Sequence, residues 1–214
     1  MRHFVIALGT LLAAGTSAAA AQTVWEGTLI VQQGGKEIGR EDVVVRRGTP
    51  ASGADGTTIA VSARYPASSP TVRIDASLDR NAAGEMEKFL LRGDTPEGPT
   101  QASAAGAGAR LIIKTAARAG ETGREVPGGP DVVVLDPNVY ALYGVIAELA
   151  TAEGRRLTAV YPRVNRRARF TARQDGNRIV LTGEIAGTIT VDGDGRIQRL
   201  ELPADGVVVV RAPR

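Results

Sequence analysis

The feature that most limits the fold of this chain is a two-residue alternation of apolar and polar side chains, which recurs from residue 23 almost to the C-terminus. Such alternation predicts β-strands, because successive side chains of a strand point to opposite faces of the sheet. Turn residues such as Gly34-Gly35 and Asp175-Gly176 separate the segments and indicate an antiparallel meander. About ten or eleven strands are expected, near the limit of an open twisted sheet, so the sheet should curl into a half-barrel or barrel.

One segment departs from this alternation and predicts a helix. Asp136-Pro137 has the pattern of an N-cap residue followed by proline at the first helical position. We expect one long helix over residues 137–152, packed on the sheet of a mainly β domain. Its apolar face either fills the core or covers a cavity for an acyl chain. That face consists of apolar residues at helical spacing, namely Val139, Leu142, Tyr143 and Ile146.

Three other segments carry weaker signals. Residues 95–108 are poor in large apolar side chains and predict a weak strand or a long loop. Residues 118–130 are rich in glycine and proline and predict a connection. Residues 177–191 are expected to form a single strand.

The composition excludes much of the usual catalytic chemistry. The chain has no cysteine and one histidine, His3. Because His3 lies in the segment that is expected to be cleaved as a leader, this excludes catalysis by Ser-His-Asp or Cys-His groups, disulfides, CxxC redox sites and zinc sites built from cysteine or histidine. Motifs for a serine or lysine nucleophile are also missing. We therefore expect no cofactor and no enzymatic activity.

The N-terminal residues have the layout of a secretory signal peptide. A basic start at Arg2 and His3 precedes a largely apolar run over residues 4–14, and Ala19 and Ala21 form an A-x-A cleavage pattern. The apolar run is too short to favour a membrane anchor. We expect a signal peptide at 1–21, a single β-rich domain at 22–214 without a membrane span, and a periplasmic or secreted location.

The charge pattern singles out one row of arginines. The net charge of +3 is small, which does not favour nucleic-acid binding. If the chain is extended after residue 166, Arg167, Arg169 and Arg173 share one face of a strand. Guanidinium groups in a row can hold phosphate or carboxylate, and in a cell envelope those anions are lipid head groups. The alternative is a solvated sheet face.

Two groups of acidic residues are candidates for metal binding or acid–base catalysis. Asp192-Gly193-Asp194-Gly195 resembles the start of a calcium loop, but Glu201 does not fit the ligand spacing, and we favour a hairpin turn instead. We expect no metal there. Glu41 and Asp42 are adjacent in an extended segment, which predicts that they face opposite sides of the sheet.

The overall layout resembles the LolA/LolB-like envelope proteins, which carry or receive lipoproteins. The shared features are a signal peptide, a curved antiparallel sheet and one helix on its concave side. Two short segments, Ile38-Gly39-Arg40-Glu41 and residues 190–203, are also similar to strands of uncharacterised exported bacterial proteins. The resemblance implies a lipid or lipoprotein-like ligand and identifies no catalytic residue.

These observations predict an envelope protein that binds a hydrophobic or amphiphilic ligand without catalysis. One alternative is a structural or assembly protein that binds an envelope partner through its sheet edge. The other is a metal- or carboxylate-dependent hydrolase that uses Asp192, Asp194 and Glu201. The predicted ligand-binding residues are Val139, Leu142, Tyr143, Ile146, Arg167, Arg169 and Arg173.

Overall fold

Strand pairing follows the order of the chain almost throughout. The computed structural model describes residues 21–49, 52–53 and 55–213. In that part of the chain, fifteen strands form one sheet. They are β1 (Gln22–Gln33), β2 (Lys36–Arg47), β3 (Thr57–Tyr65), β4 (Val72–Arg80), β5 (Met86–Thr95), β6 (Gly98–Ala107), β7 (Arg110–Ala117), β8 (Gly120–Pro127), β9 (Val132–Val134), β10 (Arg155–Tyr161), β11 (Arg166–Asp175), β12 (Arg178–Gly183), β13 (Gly187–Val191), β14 (Ile197–Leu202) and β15 (Val207–Arg211).

The first and last strands of the chain pair with each other, which joins its two halves into one nearly closed sheet. Leu29 of β1 lies opposite Arg211 of β15, so the hydrogen-bonded order runs from β8 through β1 to β15 and back to β9. All pairs are antiparallel except β9 with β10. The edge strand β9 contacts β5, and Val133 and Val134 are both buried, so both of its faces are covered. The predicted mainly β barrel is confirmed.

The inner face of the barrel carries the core. In β3, Val61, Ala63 and Tyr65 are buried, whereas Ser62 and Arg64 between them are exposed, as a period of two predicts. Full burial of one large aliphatic side chain stabilises a fold by roughly 1.5–3 kcal/mol. The core consists mainly of valine, isoleucine, leucine and alanine, contributed by strands from all around the sheet.

The sheet contains more strands than the sequence predicts. β6 and β8 lie where a weak strand or loop and a connection are expected, and both pair with β7. Ala102 and Ala104 of β6 are buried despite their small size, because neighbouring strands rather than local pattern decide pairing there. The predicted strand over 177–191 is divided into β12 and β13. The reversal follows Gly183, whose φ of +118° favours glycine.

The helix is shorter at both ends than the predicted range of 137–152. A 3₁₀ turn over Tyr140–Tyr143 leads directly into the helix α1, Gly144–Leu149. Asp136 does not cap it, because its carboxylate accepts a hydrogen bond from the N–H of Asn138 instead. At the other end the carbonyl of Thr151 accepts the N–H of Gln174 in β11, which turns the chain into the sheet.

The predicted signal peptide lies, except for Ala21, outside the described residues. Within the described ranges, no helix is long and apolar enough to cross a membrane.

Replacement of Ile146 by alanine is expected to lower the free energy of unfolding by about 2–5 kcal/mol, because it leaves a cavity in a packed core. Ile146 is 0 % exposed, whereas Ile112 on β7 is 40 % exposed. The matched control Ile112→Ala should cost less than about 1 kcal/mol. Urea unfolding followed by tryptophan fluorescence measures both. Equal losses would contradict the position of the helix in the core.

Candidate functional site

The helix face that the sequence assigns to ligand binding lies inside the barrel. Val139, Leu142 and Ile146 are 0 % exposed and Tyr143 is 5 % exposed. They belong to the same continuous core as the inward side chains of the strands. Their first role is therefore to attach the helix to the sheet.

The arginine row lies on the other side of the same sheet. Arg167, Arg169 and Arg173 are exposed on the outer face of β11, while the residues between them alternate to the inside as predicted. The predicted ligand residues thus form two surfaces separated by the thickness of the sheet, and one ligand cannot contact both.

The acidic turn after β13 is a hairpin turn. Asp192 Oδ1 accepts the N–H groups of Asp194 and Arg196 at 3.0 and 2.9 Å, and Oδ2 accepts Arg211 Nη1 at 2.8 Å. Burial opposes ionisation of Asp192, but the hydrogen bonds from Arg196, Arg211 and Asp194 together hold its pKa below the usual value. The carboxylate is therefore engaged in holding the turn.

Glu201, the third predicted acid, lies on β14 and pairs with Arg199 at 2.5 Å. In the part of the chain that the structure describes, histidine, cysteine, aspartate and glutamate form no group of three or more that could hold a metal ion.

Glu41 is fully buried on the inner face of β2. Its carboxylate accepts three hydrogen bonds, from the Tyr65 hydroxyl at 2.8 Å and from the backbone N–H groups of Tyr140 and Ala141 at 2.7 and 2.8 Å. The first N–H groups of a helix have no partner within it, and the Glu41 oxygens accept two of them. Glu41 therefore caps the helix from across the barrel.

The four tyrosines of the chain form a series of contacts that begins at this carboxylate and runs through Tyr140 and Tyr143 to Tyr161. Tyr65 and Tyr140 contact Glu41 directly, and the rings of Tyr140 and Tyr143 stack with centroids 6.4 Å apart. Burial raises the pKa of Tyr143, and the neighbouring Tyr161 raises it further. This end of the barrel is thus lined by aromatic rings that remain neutral at physiological pH.

A second buried carboxylate holds the segment that precedes the helix. Asp136 is 1 % exposed and accepts two hydrogen bonds from the Arg163 guanidinium, at 2.8 and 2.7 Å. This contact raises the pKa of Arg163. Throughout the described residues, every buried side-chain nitrogen or oxygen has a hydrogen-bond partner. The buried polar groups therefore act as fixed structural contacts.

Gly39 determines where Tyr65 lies. A Cβ atom at position 39 would be 2.0 Å from Tyr65 Cδ1 and 2.7 Å from the carbonyl oxygen of Arg64. The tyrosine ring thus packs directly on the glycine backbone, and its hydroxyl reaches Glu41 on the same strand.

The helix is also held at its C-terminal end. Glu148 of α1 forms an ion pair with Arg80 of β4, whose side chain is only 4 % exposed, and a second with Arg196 at 3.6 Å. Arg80 Nε donates to the carbonyl of Gly84 at 2.8 Å. The helix is therefore attached to the sheet by charged contacts at both ends.

An apolar crevice lies between the helix and the inner face of β1–β3. Its volume is about 30 Å³, roughly the room that one or two water molecules need. The helix contributes the small residues Ala141 and Gly144, and Glu148 and Arg196 lie at its polar end. The apolar lining consists of Trp25, Leu29, Val43, Val45, Ile59 and Ile197.

The fold is similar to two solved bacterial structures. A β-barrel-like protein of domain of unknown function DUF1849 from Brucella abortus has a TM-score of 0.50 at 10 % identity, and the match covers 89 % of this chain and 96 % of that one. A DUF1089 family protein from Pseudomonas aeruginosa has a TM-score of 0.46 at 14 % identity, over 94 % and 98 % of the two chains. The first supports the barrel fold alone. Neither supports the resemblance to LolA or LolB.

No protein-family model and no curated protein matches this chain.

The cap by Glu41 and the cluster of tyrosines were not predicted from the sequence. Glu41 and Asp42 face opposite sides of the sheet, as their adjacent positions predict, since Asp42 is half-exposed and pairs with Arg64. A usable signal was present. Glu41 is at the inward register of an apolar strand, on the same face as Val43 and Val45, where a carboxylate needs hydrogen-bond donors.

Ionisation of Glu41 is expected to make the fold less stable as the pH rises. Burial raises the pKa of Glu41 from 4.5 to about 7, against the hydrogen bonds from Tyr140, Ala141 and Tyr65 and with a small addition from the charge of Asp136. A raised pKa means that the folded protein binds the proton more tightly. The contribution of Glu41 to stability is therefore fully present below pH 4.5 and is lost, by on the order of 3 kcal/mol, as the pH rises through 7.

Denaturant unfolding between pH 4.5 and 8 measures this dependence. Glu41→Gln should remove most of the slope, whereas Asp194→Asn, which removes an exposed acid of the hairpin turn, should keep it. A wild-type stability that is constant or rises across this range would contradict the expectation.

Gly39→Ala is expected to destabilise the protein by about 1–3 kcal/mol or more, because the added methyl group overlaps the Tyr65 ring and a backbone carbonyl. The control is Gly193→Ala, where a Cβ atom meets no atom within 4 Å. Thermal unfolding of both variants tests the close packing. Similar melting temperatures for the two variants would show that Tyr65 does not depend on Gly39.

Proposed function

We propose that this protein is an exported, non-catalytic envelope protein that binds the apolar end of a hydrophobic or amphiphilic ligand, such as a lipid acyl chain. The observation that carries the proposal is the crevice between the helix and β1–β3. Its lining is apolar except at Glu148 and Arg196, which are charged. An amphiphile has the same two parts, an apolar chain and a polar head group. Ligand sites are mostly apolar with a few polar groups that fix orientation.

The charges at the crevice favour an anionic head group. Arg196 Nη1 lies 3.6 Å from Glu148 Oε1, and the Arg196 side chain is 24 % exposed. This guanidinium therefore has donors for an added anion. Arg80, the other partner of Glu148, already donates to a backbone carbonyl. Arg196 is therefore the residue that would meet the head group.

The small volume limits what enters. At about 30 Å³ the crevice accepts a terminal methyl group. A longer part of an acyl chain enters only if α1 moves away from the strands. The ligand then contacts Ala141 and Gly144 of the helix and Trp25 of β1.

The engagement of the carboxylates supports a role without catalysis. Glu41 and Asp136 accept hydrogen bonds from backbone, tyrosine and arginine groups that hold the helix in place. Asp192 holds a turn in the same way. Export is supported by the layout of the first 21 residues.

Decanoate binding tests the proposal, with Trp25 as the probe because it is the single tryptophan of the chain and lines the crevice. Titration with decanoate should change the tryptophan emission and saturate. Native mass spectrometry of protein purified from its own envelope should show lipid adducts. No emission change up to millimolar decanoate, together with no adduct, would overturn the proposal.

Gly144→Ala is the variant that separates binding from folding. Its methyl group would lie 3.8 Å from Ile197 and fill much of the crevice, while alanine stabilises a helix by about 1 kcal/mol over glycine. Decanoate affinity should fall at least about tenfold while the melting temperature rises. Gly193→Ala should leave both unchanged, and undiminished affinity in Gly144→Ala would place the ligand elsewhere.

Binding of an envelope partner through a sheet edge remains a prediction. Its candidate edge is β8, which pairs with β7 on one side and stands at the end of the hydrogen-bonded order.

A further inference from the structure

The outer face of β10 and β11 carries an ordered set of arginines, which we call the arginine face: Arg156, Arg167, Arg169 and Arg173. All four are exposed. The three on β11 follow the strand at alternate positions, and the one gap in their row is Thr171. Arg156 of β10 lies directly opposite Thr171, so a guanidinium from the next strand stands beside the gap. The row extends for roughly 20 Å, at about 3.3 Å per residue.

The arginine face is short of acidic partners. Within the described residues, none of its four side chains forms an ion pair. By contrast, Arg40, Arg64 and Arg110 elsewhere on the surface pair with Glu37, Asp42 and Glu125. Glu184 and Asp175 lie near the arginine face: the Glu184 carboxylate accepts the backbone N–H of Arg169, and Asp175 lies opposite Arg178.

A fifth arginine adds to this charge from another part of the sheet. Arg124 on the edge strand β8 is half-buried. Its pKa is lowered by burial and also by the positive charge of Arg167. Like charges this close repel each other unless an anion binds between them.

We propose that the arginine face docks the protein on an anionic phospholipid bilayer. Guanidinium groups form paired hydrogen bonds with phosphate oxygens, and basic residues near an anionic bilayer are attracted to its surface potential. The arginine face is a single exposed strip on the outside of the barrel, so it meets a planar surface of phosphates without a change in fold.

The composition of the arginine face favours a bilayer over a single-stranded nucleic acid. The residues that alternate with the arginine row are Ala168, Phe170 and Ala172, which point inward and are buried, and the residue at the gap in the row is Thr171. The outer side of this stretch therefore has no aromatic ring on which a base could stack, and stacking is a main contact of such proteins with single strands.

Vesicle co-sedimentation of the purified protein tests the proposal, with phosphatidylcholine vesicles that contain phosphatidylglycerol against vesicles of phosphatidylcholine alone. Binding is expected only to the anionic vesicles and should weaken as salt rises, since exposed charges are screened. The triple variant Arg167→Gln/Arg169→Gln/Arg173→Gln should bind roughly a hundredfold more weakly.

The matched control is Arg40→Gln/Arg64→Gln/Arg110→Gln, which removes the same charge from paired positions and should keep binding within a few-fold of wild type. Equal losses in both triple variants, no preference for anionic vesicles, full displacement by soluble glycerol phosphate, or tighter binding to a single-stranded oligonucleotide would each overturn the proposal. Gly144→Ala should bind vesicles normally, so this result is independent of the crevice.

Discussion

The contact between the Glu41 carboxylate and the start of the helix is the one on which the rest of the structure depends. A carboxylate inside an apolar barrel is costly unless donors surround it, and the first N–H groups of a helix need acceptors. Each group satisfies the other, with Tyr65 as the third partner. The contact joins residues about a hundred positions apart in the chain, and it brings the helix onto the inner face of the sheet.

Two consequences follow from a helix that is fixed at both ends. With Glu41 at its start and Arg80 with Arg196 at its end, the helix fills the barrel instead of covering an empty cavity. A narrow crevice remains beside Ala141 and Gly144. The crevice can therefore accept a small apolar group, whereas a larger anionic surface would bind to the outside of the sheet.

The similarity to a β-barrel-like protein of the DUF1849 domain extends over nearly the whole chain but concerns the fold. A fold of this kind accommodates many functions, and function depends on particular sites. In this protein the two candidate sites lie on different strands and opposite faces of the sheet: the crevice on the inner face of β1–β3 and the arginine face on the outer face of β10 and β11. The inner site depends on where the helix packs, and the outer site depends only on the alternation of β11 and its pairing with β10.

The sequence by itself determined the strand-rich class, most strand positions and the outward register of the arginines, because a period of two is a local property of the chain. It also determined which face of the helix is apolar. Only the tertiary structure decided the length of the helix, the reversal between β12 and β13, and the pairing of β6 and β8, since these depend on neighbouring strands. The cap by Glu41, the packing of Tyr65 on Gly39 and the size of the crevice were likewise decided in three dimensions. They depend on contacts between distant segments, which no local pattern records.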